Sequence, residues 1–112
     1  MGVYRLYTGA DGESHIDELK ATDHPQLKEL QATDGIRLQE FPAKQFIEWH
    51  PAPRRQWVII LSGELEIGLG DGTFRRFGPG DARLVEDTTG RGHTTRTLGE
   101  QPCMAMAVHL AG

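Results

Sequence analysis

Short apolar segments separated by glycine and proline turns run through this chain at intervals of about ten residues. They extend from Val3 to Leu110. The turns Ser62-Gly63, Gly70-Asp71-Gly72 and Gly78-Pro79-Gly80 supply positive φ at little steric cost. Many short strands joined by such turns are typical of all-β sandwiches and barrels. The pattern therefore predicts an all-β domain.

Nine strands follow from the alternation and from the positions of the turns. They are Val3–Tyr7, Ile36–Phe41, Lys44–His50, Gln56–Leu61, Glu64–Leu69, Thr73–Phe77, Ala82–Glu86, Gly92–Leu98 and Cys103–Leu110. The span Ser14–Gln31 is ambiguous, because Leu27 and Leu30 after His24-Pro25 suit one helical turn, whereas the segment also suits another strand and loop. Both alternatives stay open at this stage.

Length and composition limit the classes of protein to consider. The 112 residues predict one domain spanning 1–112, and the formal charge of -4 argues against a nucleic-acid partner. No apolar run is long enough for a membrane partner or a secretory signal. The single cysteine, Cys103, closes no intramolecular disulfide, so we expect a cytoplasmic protein with Cys103 as inert core packing.

Two of the predicted strands are apolar without alternation. They are Trp57 to Leu61 and Met104 to Val108. Such a strand is buried on both faces, yet one small β domain has no second layer to cover its outside. We therefore expect a homodimer with Trp57, Ile59 and Leu61 in the contact. The alternative is that another strand or the N-terminal arm folds over this face.

Two histidine segments carry the chemistry. The first runs from His50 through Gln56 to Gly63, and the second runs from Gly80 to His93 with Thr97 four residues later. These segments resemble the two motifs of the cupin superfamily, G-x5-H-x-H-x(3,4)-E-x6-G and G-x5-P-x-G-x2-H-x3-N. The resemblance implies a single-domain, cupin-type jelly-roll β-barrel that encloses a cavity.

In cupins, two histidines and a glutamate of the first motif and one histidine of the second bind a divalent metal. His50 and His93 match these positions, whereas Ala52 replaces the second histidine, Gln56 the glutamate and Lys44 the initial glycine. Two imidazoles and an amide bind a cation more weakly than three imidazoles and a carboxylate. The resemblance thus leaves open a metal cofactor, Fe, Mn, Ni or Zn, with His50, Gln56 and His93 as ligands.

Strand alternation indicates which side chains share the cavity. If His50 points inward, then Phe46, Glu48, Ala52, Gln56, Val58 and Ile60 point inward too, provided that no bulge interrupts the strand. On the later strand His93, Thr95 and Thr97 share a face. Catalytic candidates are therefore His50, His93 and Glu48, where Glu48 serves as a general acid or base or as an additional metal ligand.

Further polar residues flank these positions. Gln56 and Thr95 are candidate substrate contacts, and Arg54 and Arg55 are candidates for holding an anionic substrate at the barrel mouth. Charged residues that only solubilise the loop are the alternative for the two arginines. Glu86 and Asp87 are interpreted as caps of loop amides.

Three functions are compatible with these residues. The first is binding of a small molecule, or proton transfer on it as in isomerisation, dehydration or epimerisation, between His50 and His93. The second is a metal-dependent enzyme of the oxygenase or isomerase type. The third is a non-catalytic ligand sensor, which would need a partner chain to bind DNA because no helix-turn-helix is present. The substrate itself cannot be predicted from the fold.

Overall fold

The computed structural model describes residues 1–20 and 22–112, and these residues form ten strands and one short 3-10 helix. The elements are β1 (Val3–Thr8), β2 (Ser14–Leu19), η1 (Pro25–Lys28), β3 (Thr33–Phe41), β4 (Phe46–His50), β5 (Gln56–Ser62), β6 (Glu64–Gly68), β7 (Phe74–Phe77), β8 (Ala82–Val85), β9 (His93–Leu98) and β10 (Cys103–Leu110). The all-β prediction is confirmed. Each of the nine predicted strands is present, with ends that shift by up to three residues.

The ambiguous span contains both of its alternatives. Its first part is a strand, β2, that pairs antiparallel with β1, and its later part holds the single helical turn η1. Within that span Ala21 lies outside the described residues. The described part of the chain contains no helix of the length and hydropathy required to cross a membrane.

The strands form two sheets. The six-stranded sheet has the order β2-β1-β8-β5-β10-β3, and the four-stranded sheet has the order β4-β9-β6-β7. Strands β3 to β10 are distributed between the sheets as in a jelly roll, alternating from one sheet to the other except at β6 and β7, which both lie in the four-stranded sheet. The expectation of a closed barrel is wrong, because no ladder joins the edge strands of one sheet to those of the other. The molecule is a two-layer sandwich, and its cavity lies between the layers.

Alternating apolar side chains from both sheets meet in one core. The members that are almost fully buried include Leu6, Val58, Ile60, Leu65, Ile67, Phe77 and Ala105. Val58 and Ile60 come from the six-stranded sheet, whereas Leu65 and Ile67 come from the four-stranded sheet. This core fills one part of the sandwich and leaves the other part open for a cavity.

The outer face of the six-stranded sheet is apolar, and the N-terminal segment covers part of it. Trp57 Nε1 donates a hydrogen bond of 2.9 Å to the side chain of Gln31, and Leu27 lies beside Trp57 and Ile59. Leu61 is still 48% exposed in the single chain, and Ile36 and Leu38 are exposed on β3, two strands away in the same sheet. The alternative of a covering arm therefore applies around Trp57, and the homodimer stays a prediction for the rest of the face.

Candidate functional site

Strands β4 and β9 bring the two motif histidines together. His50 ends β4 and pairs with His93, which begins β9. Their ring centroids lie 5.0 Å apart with planes inclined by 49°. His93 is 5% exposed, and His50 is partly exposed. Both line a cavity of about 300 Å³ between the two sheets.

Gly92 makes this pairing sterically accessible. Its φ is +83°, and a Cβ at this position would collide with the backbone carbonyl of His50 and with the nitrogen of Pro51. Only glycine adopts this conformation without strain and leaves room for so close a backbone approach. The residue before His93 therefore allows β9 to begin directly against the end of β4.

An irregularity in β4 changes which of its side chains face inward. Ile47 pairs with Thr95 and His50 pairs with His93, so three steps along β4 correspond to two steps along β9. One extra residue in a ladder reverses the alternation on the bulged strand. Ile47 consequently lines the cavity with Thr95, whereas Phe46 and Glu48 are exposed. The prediction that Glu48 shares the inner wall with His50 is wrong for this reason.

Hydrogen bonds determine the proton positions on both imidazole rings. His50 Nδ1 lies 2.8 Å from the carbonyl oxygen of Glu48, and His93 Nδ1 lies 2.5 Å from Asp87 Oδ2. A carbonyl and a carboxylate oxygen only accept, so each Nδ1 carries a proton and donates it. In each neutral ring, Nε2 is then left with a lone pair that can accept a proton. Glu48 thus contributes to the site through its backbone, not through its carboxylate.

Asp87 is the residue that orients His93. Its side chain is fully buried, and Oδ2 also accepts a hydrogen bond of 2.6 Å from Ser14 Oγ. Its backbone oxygen accepts from the amide of Ala52 at 2.9 Å, which ties the loop after β4 to the loop after β8. A buried carboxylate behind an imidazole holds the ring in place and stabilises its protonated form. The interpretation of Asp87 as a cap of loop amides is therefore wrong.

The cavity wall combines apolar and cationic side chains. The lining residues are Arg37, Gln39, Phe41, Ile47, His50, Pro51, Ala52, Pro53, Gln56, Val58, Arg83, Val85, His93 and Thr95. The predicted contacts Gln56 and Thr95 are therefore near the two histidines. No Asp or Glu is among these lining residues of the described chain.

The two arginines predicted at the mouth lie elsewhere. Arg55 Nε donates to Glu86 Oε2 at 2.7 Å, and Arg5 Nε donates to the other oxygen of Glu86 at the same distance. Arg54 lies beside His109, with Arg54 Nη1 3.3 Å from the ring Nδ1. Neither Arg54 nor Arg55 lines the cavity, because both lie in the exposed loop that precedes β5.

Glu86 thus bridges two surface arginines and does not cap a loop. Burial raises the pKa of Glu86, but the hydrogen bonds from Arg5 and Arg55 outweigh that effect, and the pKa ends below its ordinary value. This ion-pair cluster joins β1, the loop before β5 and the end of β8. Its role in the structure is to hold the edges of these elements together.

Arg83 is a cavity residue that the sequence motifs did not indicate. It is 4% exposed on β8, and its Nε and Nη1 atoms have no hydrogen-bond partner among the described residues. Burial lowers the pKa of Arg83 to about 10, while the charges of Cys103 and Asp87 act in the opposite direction. The guanidinium therefore remains protonated near neutral pH. The sequence does contain one indication that Arg83 is buried: it stands between apolar neighbours in the short strand Ala82-Arg83-Leu84-Val85.

The matched family model is the Cupin domain, over residues 37–109. This chain belongs to the cupin family. The match includes both histidines and all of β3 to β10 except the first four residues of β3 and the last residue of β10. No functionally curated protein matches the chain.

Solved structures agree with the cupin fold. The chain is similar to the DMSP lyase DddQ from Ruegeria pomeroyi DSS-3, with 29% identity over 68% of this chain and a TM-score of 0.55. It spans only 37% of the DddQ chain. The polyketide cyclase RemF from Streptomyces resistomycificus is 20% identical over 95% of this chain and 70% of its own, with a TM-score of 0.58. The cupin domain of Schizosaccharomyces pombe Cnp3 is 13% identical over 88% and 73%, with a TM-score of 0.57.

The donor set of this cupin is unsuited to a resident divalent metal. Within the described part of the chain, no three His, Cys, Asp or Glu side chains come together as a cation site. Besides His50 and His93, the side-chain oxygen donors among the described lining residues are neutral, namely the amides of Gln39 and Gln56 and the hydroxyl of Thr95, and the Arg83 cation lines the same cavity. Two imidazoles without a carboxylate hold such an ion weakly, and a nearby positive charge weakens the binding further.

Proposed function

We propose that this cupin binds a small organic molecule between its two sheets and transfers a proton on it. Neutral His93 acts as the general base through Nε2, and His50 acts as the general acid in its protonated form, which carries a proton on Nε2 as well as on Nδ1. The observation that carries the proposal is the pair of imidazoles whose centroids lie 5.0 Å apart, one of them hydrogen-bonded to a buried carboxylate. Isomerisation, dehydration and epimerisation all require such a pair of proton-transfer groups.

The two histidines differ in what supports them. Asp87 keeps the proton of His93 on Nδ1, so Nε2 is the ring nitrogen that accepts a proton from the substrate. The positive charge that develops on His93 is then stabilised by the buried Asp87 carboxylate. His50 is held only by a neutral carbonyl and is partly exposed, so its Nε2 takes up a proton from water and donates that proton to the substrate. This asymmetry supports the assignment of base and acid.

The similarity to DddQ adds limited support for one reaction among these. DddQ is a lyase by name, and elimination is a reaction in which a general base removes a proton. Because the chain spans only part of DddQ, the reaction of that protein is no more than a starting point for the choice of compounds.

The proposal is tested by hydrogen exchange. Small organic compounds that raise the melting temperature of the protein are first selected, since a ligand of the folded state stabilises it by mass action. Each is then incubated with the protein in D2O, and the loss of C–H signals is followed by NMR. We expect His93→Gln to slow this exchange by about 10²–10⁴-fold, the usual contribution of a general base.

His15→Gln is the matched control, because His15 is an exposed histidine that pairs with Asp11 outside the cavity. It should exchange at the wild-type rate. Binding without any exchange would contradict the proposal and support the ligand-sensor alternative. A stoichiometric Fe, Mn, Ni or Zn in the purified protein that is lost in His50→Ala would instead support the metal-dependent alternative.

A further inference from the structure

The charge balance of the cavity is unusual for a buried site. Two arginines and two histidines line it, and no acidic residue of the described chain does. The whole chain has a formal charge of -4, so the two arginine charges in the cavity are opposite in sign to the protein as a whole. A cavity lined by one sign of charge attracts ligands of the other sign.

Arg83 is the most constrained of these cations. It is 4% exposed, and Nε and Nη1 have no hydrogen-bond partner among the described residues. A buried charge without partners destabilises the folded protein, because nothing replaces the hydration that the charge loses. The guanidinium carbon lies 5.2 Å from the ring centroid of Phe77, which supplies a cation–π contact but no acceptor for these N–H groups. The donors therefore lack the acceptor that buried arginines normally have.

Two other arginines, one on β1 and one in the loop before β5, show what a partnered guanidinium looks like here. Arg5 and Arg55 share Glu86, with both N–O distances at 2.7 Å. Glu86 thus supplies a carboxylate oxygen to each of these two surface arginines, whereas no carboxylate of the described residues bonds to Nε or Nη1 of Arg83. The charge of Asp87 acts on Arg83, but Asp87 Oδ2 accepts from Ser14 and His93, and Asp87 Oδ1 makes no hydrogen bond to Arg83.

We infer that Arg83 binds the carboxylate of the cavity's ligand, so that the substrate class is a small organic carboxylate. Guanidinium and carboxylate groups match in a planar, bidentate geometry, which satisfies two N–H donors and the charge together. The cavity of about 300 Å³ is at the small end for ligand sites, and Phe41, Ile47 and Val58 provide apolar contacts for a short carbon skeleton.

The inference rests on the proposed function for what happens to the bound molecule. Arg83 belongs to the six-stranded sheet, whereas His50 and His93 belong to the four-stranded sheet. A ligand held by its carboxylate at Arg83 is thereby presented across the cavity to the two imidazoles. In this arrangement Arg83 determines which molecules bind, and the histidines determine which proton moves.

The test compares small carboxylic acids with their own primary amides and methyl esters. Binding is measured by calorimetry and by the shift in melting temperature, with inorganic phosphate as an additional probe. We expect at least one carboxylate to bind wild type tenfold or more tightly than its matched amide and ester. Equal binding of acid, amide and ester would overturn the inference without any variant, and so would a preference for phosphate.

Variants then assign the preference to Arg83. Arg83→Met should lose the preference for the carboxylate, and Arg83→Lys should retain only part of it because lysine lacks the bidentate geometry. The ligand-free Arg83→Met protein should unfold at the same or a higher temperature than wild type, since an unpaired buried charge is removed. Arg55→Met is the matched control, because Arg55 is paired with Glu86 outside the cavity. It should bind the carboxylate as wild type does.

The two proposals fail in different ways. Neutral compounds that bind and exchange protons through His93 would refute the role of Arg83 and leave the proposed function intact. Carboxylates that bind through Arg83 without proton exchange would refute the proposed function and leave the role of Arg83 intact. An Arg83→Met protein that unfolds at a lower temperature and keeps its preference for the acid would show that Arg83 has a purely structural role.

Discussion

On the edge strand β3, the two faces of the six-stranded sheet have the reverse of their usual polarity. On β3, Arg37 and Gln39 point into the cavity, whereas Ile36 and Leu38 are exposed on the outside. An ordinary sandwich places apolar side chains inside and polar ones outside. This contrast supports the proposal of a polar ligand at this end of the sandwich. On the outer side it supports the predicted homodimer, which would cover the exposed apolar side chains.

Farther along the same sheet, the inner face is an ordinary core. The inner side chain Ile60 is 1% exposed, whereas Ile36 on the outer face is 66% exposed. We expect Ile60→Ala to lower the free energy of unfolding by about 2–5 kcal/mol, because it leaves a cavity in a packed core. We expect Ile36→Ala to change it by about 0.5 kcal/mol or less in the monomer. Urea unfolding of both variants measures the contrast, and equal losses would show that the two faces do not differ.

The oligomeric state tests the outer face of the six-stranded sheet, because the predicted homodimer would bury it. A lysine in place of Leu61, on the outer face, would place a charge in the proposed contact at little cost to the monomer, since Leu61 is 48% exposed. Sedimentation should show a dimer for wild type and a monomer for Leu61→Lys. Glu64→Lys, which adds a lysine on the opposite sheet, should remain dimeric. A monomeric wild type would leave the outer face covered only by the N-terminal segment.

The smallest expected effect concerns the ion pairs beside the outer face. The pKa of Glu86 is lowered in the folded protein, so its contribution to stability is present above the ordinary pKa of about 4.3 and is lost as the pH falls through the lowered pKa. Glu86→Gln should therefore lower stability at pH 7 by about 1 kcal/mol or less, as for other partly exposed pairs. Unfolding measured from pH 7 down to acid pH should show a smaller loss for the variant than for wild type. A larger acid loss in the variant would contradict this sign.

The strand pattern could be predicted because it depends on local properties. Cys103–Leu110 was predicted with the observed bounds, and β5 and β6 differ from their predictions by one residue. β2 was harder, because Ser14–Leu19 has no clean alternation and becomes a strand by pairing with β1. Propensity is a weak guide where pairing with a neighbour decides the structure.

The candidate site could be predicted only in part. His50, His93, Gln56 and Thr95 do line one cavity, as their motif spacing and alternation indicated. Glu48 does not, because alternation assumes a regular strand and the irregularity between Ile47 and His50 reverses it. Arg54 and Arg55 were misplaced because a loop has no alternation from which to infer a direction.

The amino-acid sequence by itself determined an all-β chain with two histidines at cupin spacing, because alternation, turn residues and motif spacing act over a few neighbours. Only the tertiary structure decided that Asp87 supports His93 and that Arg83 faces the cavity without a partner. Both facts depend on how strands from two sheets meet. The physical reason is that a charge is tolerated or costly according to its surroundings, and those surroundings form only when distant segments pack together.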